Sequence, residues 1–422
     1  MPIDHDELLR LTRRVETPFY LYDGDFLLDH YDRLRKWTDD AITYYLSLKA
    51  NNNVHIARLF RERGLGVEVA SLGELTLAGH AGFPPEITIF SGPGKRRKEL
   101  EAAIRQNIKC IIVESLDEIR LVDDIARDLE TCARIAVRIN PDRTFAKSAI
   151  RMGGVPRPFG IDESMLDEVL NLIEKSRHVH FYGIHVYIGT QILDPDTIVG
   201  SVAHTVELAL RLSDRHGIVC RVVNLGGGFG VPYFPAEKPL IMDELLFRIN
   251  EIVREAKRGG LAGAEFIIES GRYLLAQSGI YVTKVLYNKM SKGERFLVVD
   301  GGMHHHAGAT FRGRAIRNNF PLGYIHPEGA CPPEEKLSIV GPLCTPDDCL
   351  GKDVSFPSLP PGSIVYVMNS GAYGLSFSPT LFLGHATPME ILKKDGKYFV
   401  IRRPGKPEDL LLHQDFAPLE NL

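Results

Sequence analysis

Between about residue 40 and residue 270 the chain alternates short β-branched runs with longer amphipathic ones eight times, and this repetition restricts the fold more than any other feature. The strand-like runs are ITYYLSLK (42–49), GVEVAS (66–71), ITIF (87–90), KCIIV (109–113), ARIAVRI (133–139), FYGIHVY (181–187), CRVVNLG (220–226) and EFIIE (265–269). Between them HIARLFRER, SLGELTLAGHAG, KELEAAIRQ, SLDEIRLVDDIARDLE and SMLDEVLNLIEKS repeat apolar residues at three and four spacing, the mark of helices with one buried face. Such alternation requires parallel strands joined by crossovers. Eight units in roughly 230 residues fit a closed (β/α)8 TIM barrel better than an open doubly wound sheet, which usually has fewer strands and a Gly-rich turn after its first. Ser71 and Ser115 each precede a helical run, with Glu three residues on, which predicts capped helix starts.

After about Ala276 the pattern changes to strand-like runs without helices between them: GIYVTKVLY, RFLVVD, LSIVG, SIVYVMN and MEILKKDGKYFVIRR, broken by turns such as PSLPPGS. The expected fold is therefore α/β plus all-β: a barrel over residues 25–275, and a β-barrel or β-sandwich domain from 276–422 together with 1–24, whose TPFYLYD run could pair with it. A chain of 422 residues is long enough for two such cores.

The net charge of −4 and the dispersed Lys and Arg residues offer no sustained basic stripe, so nucleic acid is not an expected partner. No stretch approaches the roughly 20 apolar residues of a membrane span, and the polar, acidic start has no apolar leader core, which predicts a cytoplasmic protein. Six cysteines in so long a chain do not read as a disulfide framework; Cys110, Cys132 and Cys220 fall in apolar runs, and reduced thiols are expected.

Barrel enzymes carry their chemistry at the C-terminal ends of the strands. Here Lys49, Glu68, Arg138, His185, Tyr187, Thr190, Gly226, Gly227, Gly228, Glu269 and Arg272 all follow or end apolar runs. Lys49 between apolar walls could serve as a nucleophilic amine, though a strand-end lysine with its stem on apolar surface is the plainer reading. The run NLGGGFG offers backbone N–H groups to a phosphate, or makes an ordinary turn. Glu269, followed by SGR, could pair with a buried cation, and Arg272 with a phosphate or carboxylate. Amine, anion cradle and buried carboxylate together match what pyridoxal phosphate needs: an aldehyde partner, a phosphate site and a counter-ion for the pyridine nitrogen. His304, His305 and His306 are not expected to bind metal, since neighbours on a strand point to opposite faces; a pocket-lining role beside the substrate is expected instead.

The segments YYLSLKANNN, VEVASLGEL, FSGPGK, VRINP, GIHVYIGTQ, NLGGGFG, IIESGRY, VDGGMH, GPLCTPDD and NSGAYG stand in the order of the alanine-racemase-fold (fold type III) amino acid decarboxylases. The chain resembles that family, which includes the diaminopimelate, ornithine and arginine decarboxylases, over nearly its whole length. The resemblance implies that Lys49 carries pyridoxal phosphate covalently with Glu68 near it, and that Gly226, Gly227, Gly228, Gly271, Arg272 and Tyr373 hold the phosphate. Glu269 would pair with the pyridine nitrogen. A family histidine stacks on the cofactor ring; the matching position here is Tyr187, with His185 two residues earlier and Thr190 in place of a serine, so either ring could cover the cofactor. Cys344 matches the cysteine that reaches into a homodimer neighbour's site to protonate the product. Family members that bind a distal ammonium carry an acidic residue after that cysteine, where this chain has Thr345. The segment VDGGMHHHAGATFRGRAIRNNFP, with Arg312, Arg314 and Arg317, is similar to the butirosin-type branch that decarboxylates an L-glutamyl group thioesterified to an acyl carrier protein. Those arginines would meet the acidic carrier or its phosphate, or simply form a solvated surface loop. A decarboxylase of free diaminopimelate or a related diamino acid, and a non-catalytic pyridoxal-phosphate carrier, are the alternatives.

Overall fold

Each β-branched run forms a strand: β1 (Ile42–Ser47), β2 (Gly66–Val69), β3 (Thr88–Phe90), β4 (Cys110–Val113), β5 (Ala133–Asn140), β6 (Val179–Val186), β7 (Val222–Gly227) and β8 (Glu265–Ser270). In the computed structural model, which describes residues 4–144, 150–151, 153–310, 319–326 and 331–415, each strand pairs in parallel with the next, and β8 closes the ring on β1 with Phe266 opposite Ile42. The eightfold barrel read from the sequence is present. Its interior holds Tyr45, Ile89, Cys110, Ile112, Ala136, Val222 and Ile267, all buried. Helices cover the outer face, so the strands are apolar on both sides and lack the alternation of a half-wet sheet.

The five amphipathic runs are helices at Val54–Glu62, Leu72–Ala81, Arg97–Arg105, Leu116–Asp128 and Leu166–Lys175. Ser71 and Ser115 cap two of them, accepting from the N–H of Glu74 and Glu118, an interaction worth about 1 kcal/mol at such positions. The two glutamates reach one residue further back than a standard capping box: Glu74 accepts from the Ala70 N–H at 2.7 Å, and Glu118 from the Glu114 N–H at 2.8 Å. Each helix start is thereby fastened to the end of the strand before it.

The chain divides into two units, Phe26–Leu275 and the pair Met1–Asp25 with Ala276–Leu422. In the second unit the sheet runs in the order Cys349–Pro357, Glu334–Val340, Glu294–Val299, Gly279–Ser291, Phe19–Asp23, Met389–Lys394, Lys397–Arg402. The N-terminal strand Phe19–Asp23 lies antiparallel to Gly279–Ser291 and parallel to Met389–Lys394, so the TPFYLYD run does pair with the later β elements. Ile364–Val367 and Leu322–Ile325 extend this sheet as a branch.

Several features differ from the sequence reading. The polar start holds a helix, His5–Thr12, capped by Asp4, whose Leu8 and Leu11 join a core with Phe19, Val282 and Ile364. Two inward leucines in eight residues give too weak a period to stand out. The strand Cys349–Pro357 was hidden by Gly351, Lys352 and Asp353, poor strand formers. Cys132 is exposed rather than buried in its run, while Cys110 and Cys220 are buried; all six thiols are free. Among the described residues no helix is long and apolar enough to cross a membrane.

Candidate active site

Strand register decides which side chains meet at the barrel mouth. Ser47 on β1 stands opposite Glu68 on β2, Arg138 on β5 opposite His185 on β6, His185 opposite Asn224 on β7, and Gly227 opposite Glu269 on β8. Lys49 follows in the 3-10 turn Leu48–Ala50, and its Nζ donates to both carboxylate oxygens of Glu68 at 2.8 Å. The amine therefore faces a carboxylate rather than the apolar walls expected from its sequence neighbours. Glu68 also accepts from the Ser91 hydroxyl at 2.5 Å. Burial alone raises the Glu68 pKa, but the Lys49 ammonium and the hydrogen bonds from Lys49, Ser91 and Ser47 outweigh it and hold the carboxyl below its ordinary range.

Glu269, fully buried like Glu68, is pushed the other way, to about 7, by burial and by the Glu68 charge, with Lys49, Asn224 and Arg138 only partly offsetting them. Asn224 donates to its Oε1 at 2.8 Å and uses its own carbonyl oxygen to accept from the Gly226 N–H at 2.9 Å. One side chain thus ties the carboxylate to the glycine run. The His185 Nε2 lies 3.6 Å from Glu269 Oε1, yet neither ring nitrogen has a hydrogen-bond partner. Burial, then the charges of Arg138 and Lys49, drive the His185 pKa well below its ordinary value, so the ring is neutral.

Arg138 is engaged by Glu114, with NH1 3.2 Å from each carboxylate oxygen, and its guanidinium lies 5.0 Å from the Phe159 ring and 5.8 Å from that of Tyr187. Glu114 also accepts from the N–H groups of Gly92 and Gly160. Next to it Lys95, the first residue of the KRRK run, is buried and paired with Glu118 at 2.8 Å while donating to the Gly92 and Ile112 carbonyls. Removing one member of such a buried pair typically costs about 3–5 kcal/mol.

The glycine run is required by close approach. A Cβ on Gly227 would sit 1.8 Å from the Glu269 carbonyl oxygen, and Gly226 and Gly228 have φ of +69° and +82° with neighbouring carbonyls at 2.4 and 2.1 Å from a Cβ. Gly271 leaves room for Ala50, whose Cβ would lie 2.7 Å from an added methyl. Arg272 donates to the Tyr233 hydroxyl at 3.1 Å. Tyr187 lies beside His185, ring centroids 6.4 Å apart, and Thr190 belongs to the two-residue strand Gly189–Thr190.

In the second unit Cys344 is exposed, on the turn between Glu334–Val340 and Cys349–Pro357. Asp348, which is buried, anchors this turn: its carboxylate accepts from the Leu343 N–H at 2.8 Å and the Met303 N–H at 2.6 Å, and the Thr345 carbonyl accepts from the Asp348 N–H. Tyr373 has a left-handed backbone, φ 54°. His304, His305 and His306 form a helical turn, Met303–His306, rather than a strand, and all three are buried. Among the described residues no cluster of His, Cys, Asp or Glu could hold a metal ion. Arg312, Arg314 and Arg317 lie outside the described residues.

Ser47, Ser91, Asn224, Glu114 and Lys95 complete the barrel site without having been singled out from the sequence. Asn224 heads the NLGGGFG run, and Ser91 and Lys95 lie in FSGPGK, so position within those motifs was the available signal.

Residues 27–276 match the family model described as the pyridoxal binding domain of pyridoxal-dependent decarboxylases. Over 416 residues, 98% of this chain and 97% of the relative, the chain is 56% identical to an L-glutamyl-(BtrI acyl-carrier protein) decarboxylase of Niallia circulans. It is 31% identical to a diaminopimelate decarboxylase of Aquifex aeolicus, covering 95% of this chain and 92% of the relative. Among solved structures, a diaminopimelate decarboxylase of Helicobacter pylori complexed with L-lysine superimposes with a TM-score of 0.85 at 30% identity, covering 96% of this chain and 98% of the other. With barrel, second sheet unit and mouth residues all in place, the chain belongs to the pyridoxal-dependent decarboxylases.

Proposed function

We propose that this decarboxylase removes the α-carboxylate of an L-glutamyl group thioesterified to an acyl carrier protein, leaving a 4-aminobutanoyl carrier for antibiotic biosynthesis, and that it works as a homodimer in the cytoplasm. The observation that carries the substrate is the 56% identity over 98% of the chain to a relative of that activity, against 31% to a diaminopimelate decarboxylase. Thr345 beside Cys344 agrees with it, since an uncharged side chain offers no counter-ion to a distal ammonium.

The barrel mouth fits pyridoxal phosphate on three grounds: a lysine amine held by one carboxylate, a glycine run packed too tightly for any side chain, and a second buried carboxylate beside an unpartnered neutral imidazole. When bound, the cofactor supplies an aldehyde for amines and an electron-accepting ring. Lys49 presents the amine, and Glu68, kept ionised by Ser47, Ser91 and Lys49 itself, holds or takes the proton on Nζ. Gly227, Gly228 and Arg272 would hold the phosphate, the Gly226 N–H being already used by Asn224. Glu269 would pair with the pyridine nitrogen and keep a proton there, and a neutral His185 adds no competing positive charge. Tyr187 or His185 covers the ring face. Cys344, reaching from the neighbouring subunit, delivers a proton to the carbon that has lost its carboxylate.

Mass spectrometry of a glutamyl-loaded carrier incubated with the holoprotein tests this reading. The expected result is loss of the mass of one carbon dioxide from the loaded carrier. Release of carbon dioxide from free diaminopimelate but not from the carrier selects the free-substrate alternative, and release from neither selects the non-catalytic carrier. Light scattering of the purified protein should give twice the mass of one chain.

A further inference from the structure

The helical turn Met303–His306 buries three imidazoles, of which His305 has both ring nitrogens hydrogen-bonded, His306 has its Nε2 hydrogen-bonded, and His304 has neither. His305 shares one ring nitrogen with the Tyr281 hydroxyl at 3.0 Å and the other with the Ala386 carbonyl at 2.8 Å; His306 Nε2 meets the Ser370 hydroxyl at 2.9 Å. His304 is 0% exposed and neither of its ring nitrogens has a hydrogen-bond partner. Native proteins seldom leave a buried polar side chain unmatched, because water has been removed and nothing has replaced it. The His304 ring packs between His305, centroids 3.7 Å apart, and His385, 4.7 Å apart. His385 itself is exposed, so its side chain and the loop that carries it form the cover.

The surroundings of this turn give the orphaned ring a functional address. Asp348 joins the Met303 N–H to the Leu343 N–H, the residue before Cys344, and it packs so closely that a Cβ on Gly302 or Gly341 would fall within 2.1 or 2.3 Å of its carboxylate oxygens. At the other side a Cβ on Gly308 would lie 2.8 Å from the Tyr373 carbonyl. The turn is therefore wedged between the two segments of this unit that carry Cys344 and Tyr373. Burial, with His305 and His385 nearby, pushes the His304 pKa down to about 3, so the ring is neutral, with one N–H donor and one acceptor nitrogen. A neutral ring of this kind suits a carbonyl or an amide N–H; it supplies no charge to a carboxylate or ammonium. The Asp348 oxygens are each occupied by a backbone N–H, and Thr345 is uncharged.

We infer that His304 is a specificity-determining residue that hydrogen-bonds the neutral thioester or amide portion of a carrier-linked substrate once His385 moves aside. A free diamino acid ends in charge and gains nothing from this ring. This inference rests on the carrier-linked reading proposed above.

The test titrates cofactor-loaded protein, by the cofactor's absorbance, with the glutamyl thioester of N-acetylcysteamine and separately with free L-glutamate. His304→Phe keeps an aromatic ring of similar shape and removes both nitrogens. It should weaken binding of the thioester by about tenfold, as loss of a buried hydrogen-bond partner does, and leave glutamate binding and the melting temperature unchanged. His304→Gln should recover most of the loss. Equal weakening for both probes, or none for the thioester, overturns the assignment. If His304→Phe fails to load cofactor, His385→Ala decides the matter, since it removes an exposed cover and leaves His304 intact: altered thioester binding with unaltered glutamate binding supports the site, and unchanged binding of both overturns it. Wild-type protein that ignores the loaded carrier refutes the substrate reading, whereas wild-type turnover without discrimination by the variants refutes only the role of His304.

Discussion

The two units handle polarity around their candidate site residues in different ways. At the barrel mouth charge is matched with charge: buried Glu68 with the exposed Lys49 amine, and two pairs buried on both sides, Arg138 with Glu114 and Lys95 with Glu118. In the second unit Cys344 is exposed on a turn, and the buried carboxylate that anchors it, Asp348, is matched with backbone N–H groups, while burial keeps the His304 and His305 rings neutral. The barrel thus resembles a charged receptacle assembled before any ligand arrives, because each strand-end charge is fixed by the next strand's register. The sheet unit works as a mount for loops. This difference predicts that substitutions in the barrel damage cofactor binding and stability together, whereas substitutions on the mounted turn damage turnover alone.

The largest effect should come from Lys49→Ala. Without the amine, decarboxylation should fall by at least about 10³-fold, the loss of roughly 4 kcal/mol or more of transition-state stabilisation, and the bound cofactor should lose the absorbance of its covalent form. Retention of that absorbance would remove Lys49 from its role. Next comes Cys344→Ala, where loss of a proton donor should slow turnover by about 10²–10³-fold. Because the thiol is exposed, the unfolding midpoint and cofactor content should match wild type; a lowered midpoint would break the contrast between the units. Gly227→Ala in the barrel should behave oppositely. A methyl 1.8 Å from the Glu269 carbonyl should destabilise the fold by about 4 kcal/mol and cost cofactor affinity, as read by denaturant unfolding and equilibrium loading.

The smallest effect concerns pH. Cofactor-free protein holds Glu269 with a pKa near 7, raised by burial and by Glu68 from 4.5. A carboxyl with a raised folded pKa binds more protons folded than unfolded between those values. Stability should therefore fall as pH rises from about 4.5 to about 7, by up to about 3 kcal/mol for this group. Glu68, whose pKa is lowered, contributes in the opposite sense: its stabilisation is present above the ordinary carboxyl pKa and is lost as pH drops below it. Glu269→Gln should flatten the loss between pH 4.5 and 7 in denaturant titrations of the cofactor-free protein. An unchanged slope would show that Glu269 is not the group responsible.

Much of the barrel was legible in the sequence because strand and helix periods differ and repeat eight times. Its strand-end residues could be named from position alone: Lys49, Glu68, Arg138, His185 and Glu269 do gather at one mouth. What could not be read was the pairing. Lys95 heads the run KRRK, where nothing marks it off from its charged neighbours, yet it is buried against Glu118, a contact that depends on neighbouring βα units stacking. Asn224 carried no charge to draw notice, yet it links Glu269 to Gly226. In the second unit a helical turn replaced the strand expected at His304, because local β pattern on either side gave no sign that Asp348 would gather the Met303 backbone into a turn.

The claim on which the account depends is that the amine at position 49 carries the cofactor. Borohydride reduction of the holoprotein, proteolysis and mass spectrometry address it directly. The account predicts a phosphopyridoxyl group on the peptide containing YYLSLKANNN, at Lys49 and nowhere else; a label on another lysine, or none on a protein that still decarboxylates its substrate, would contradict it.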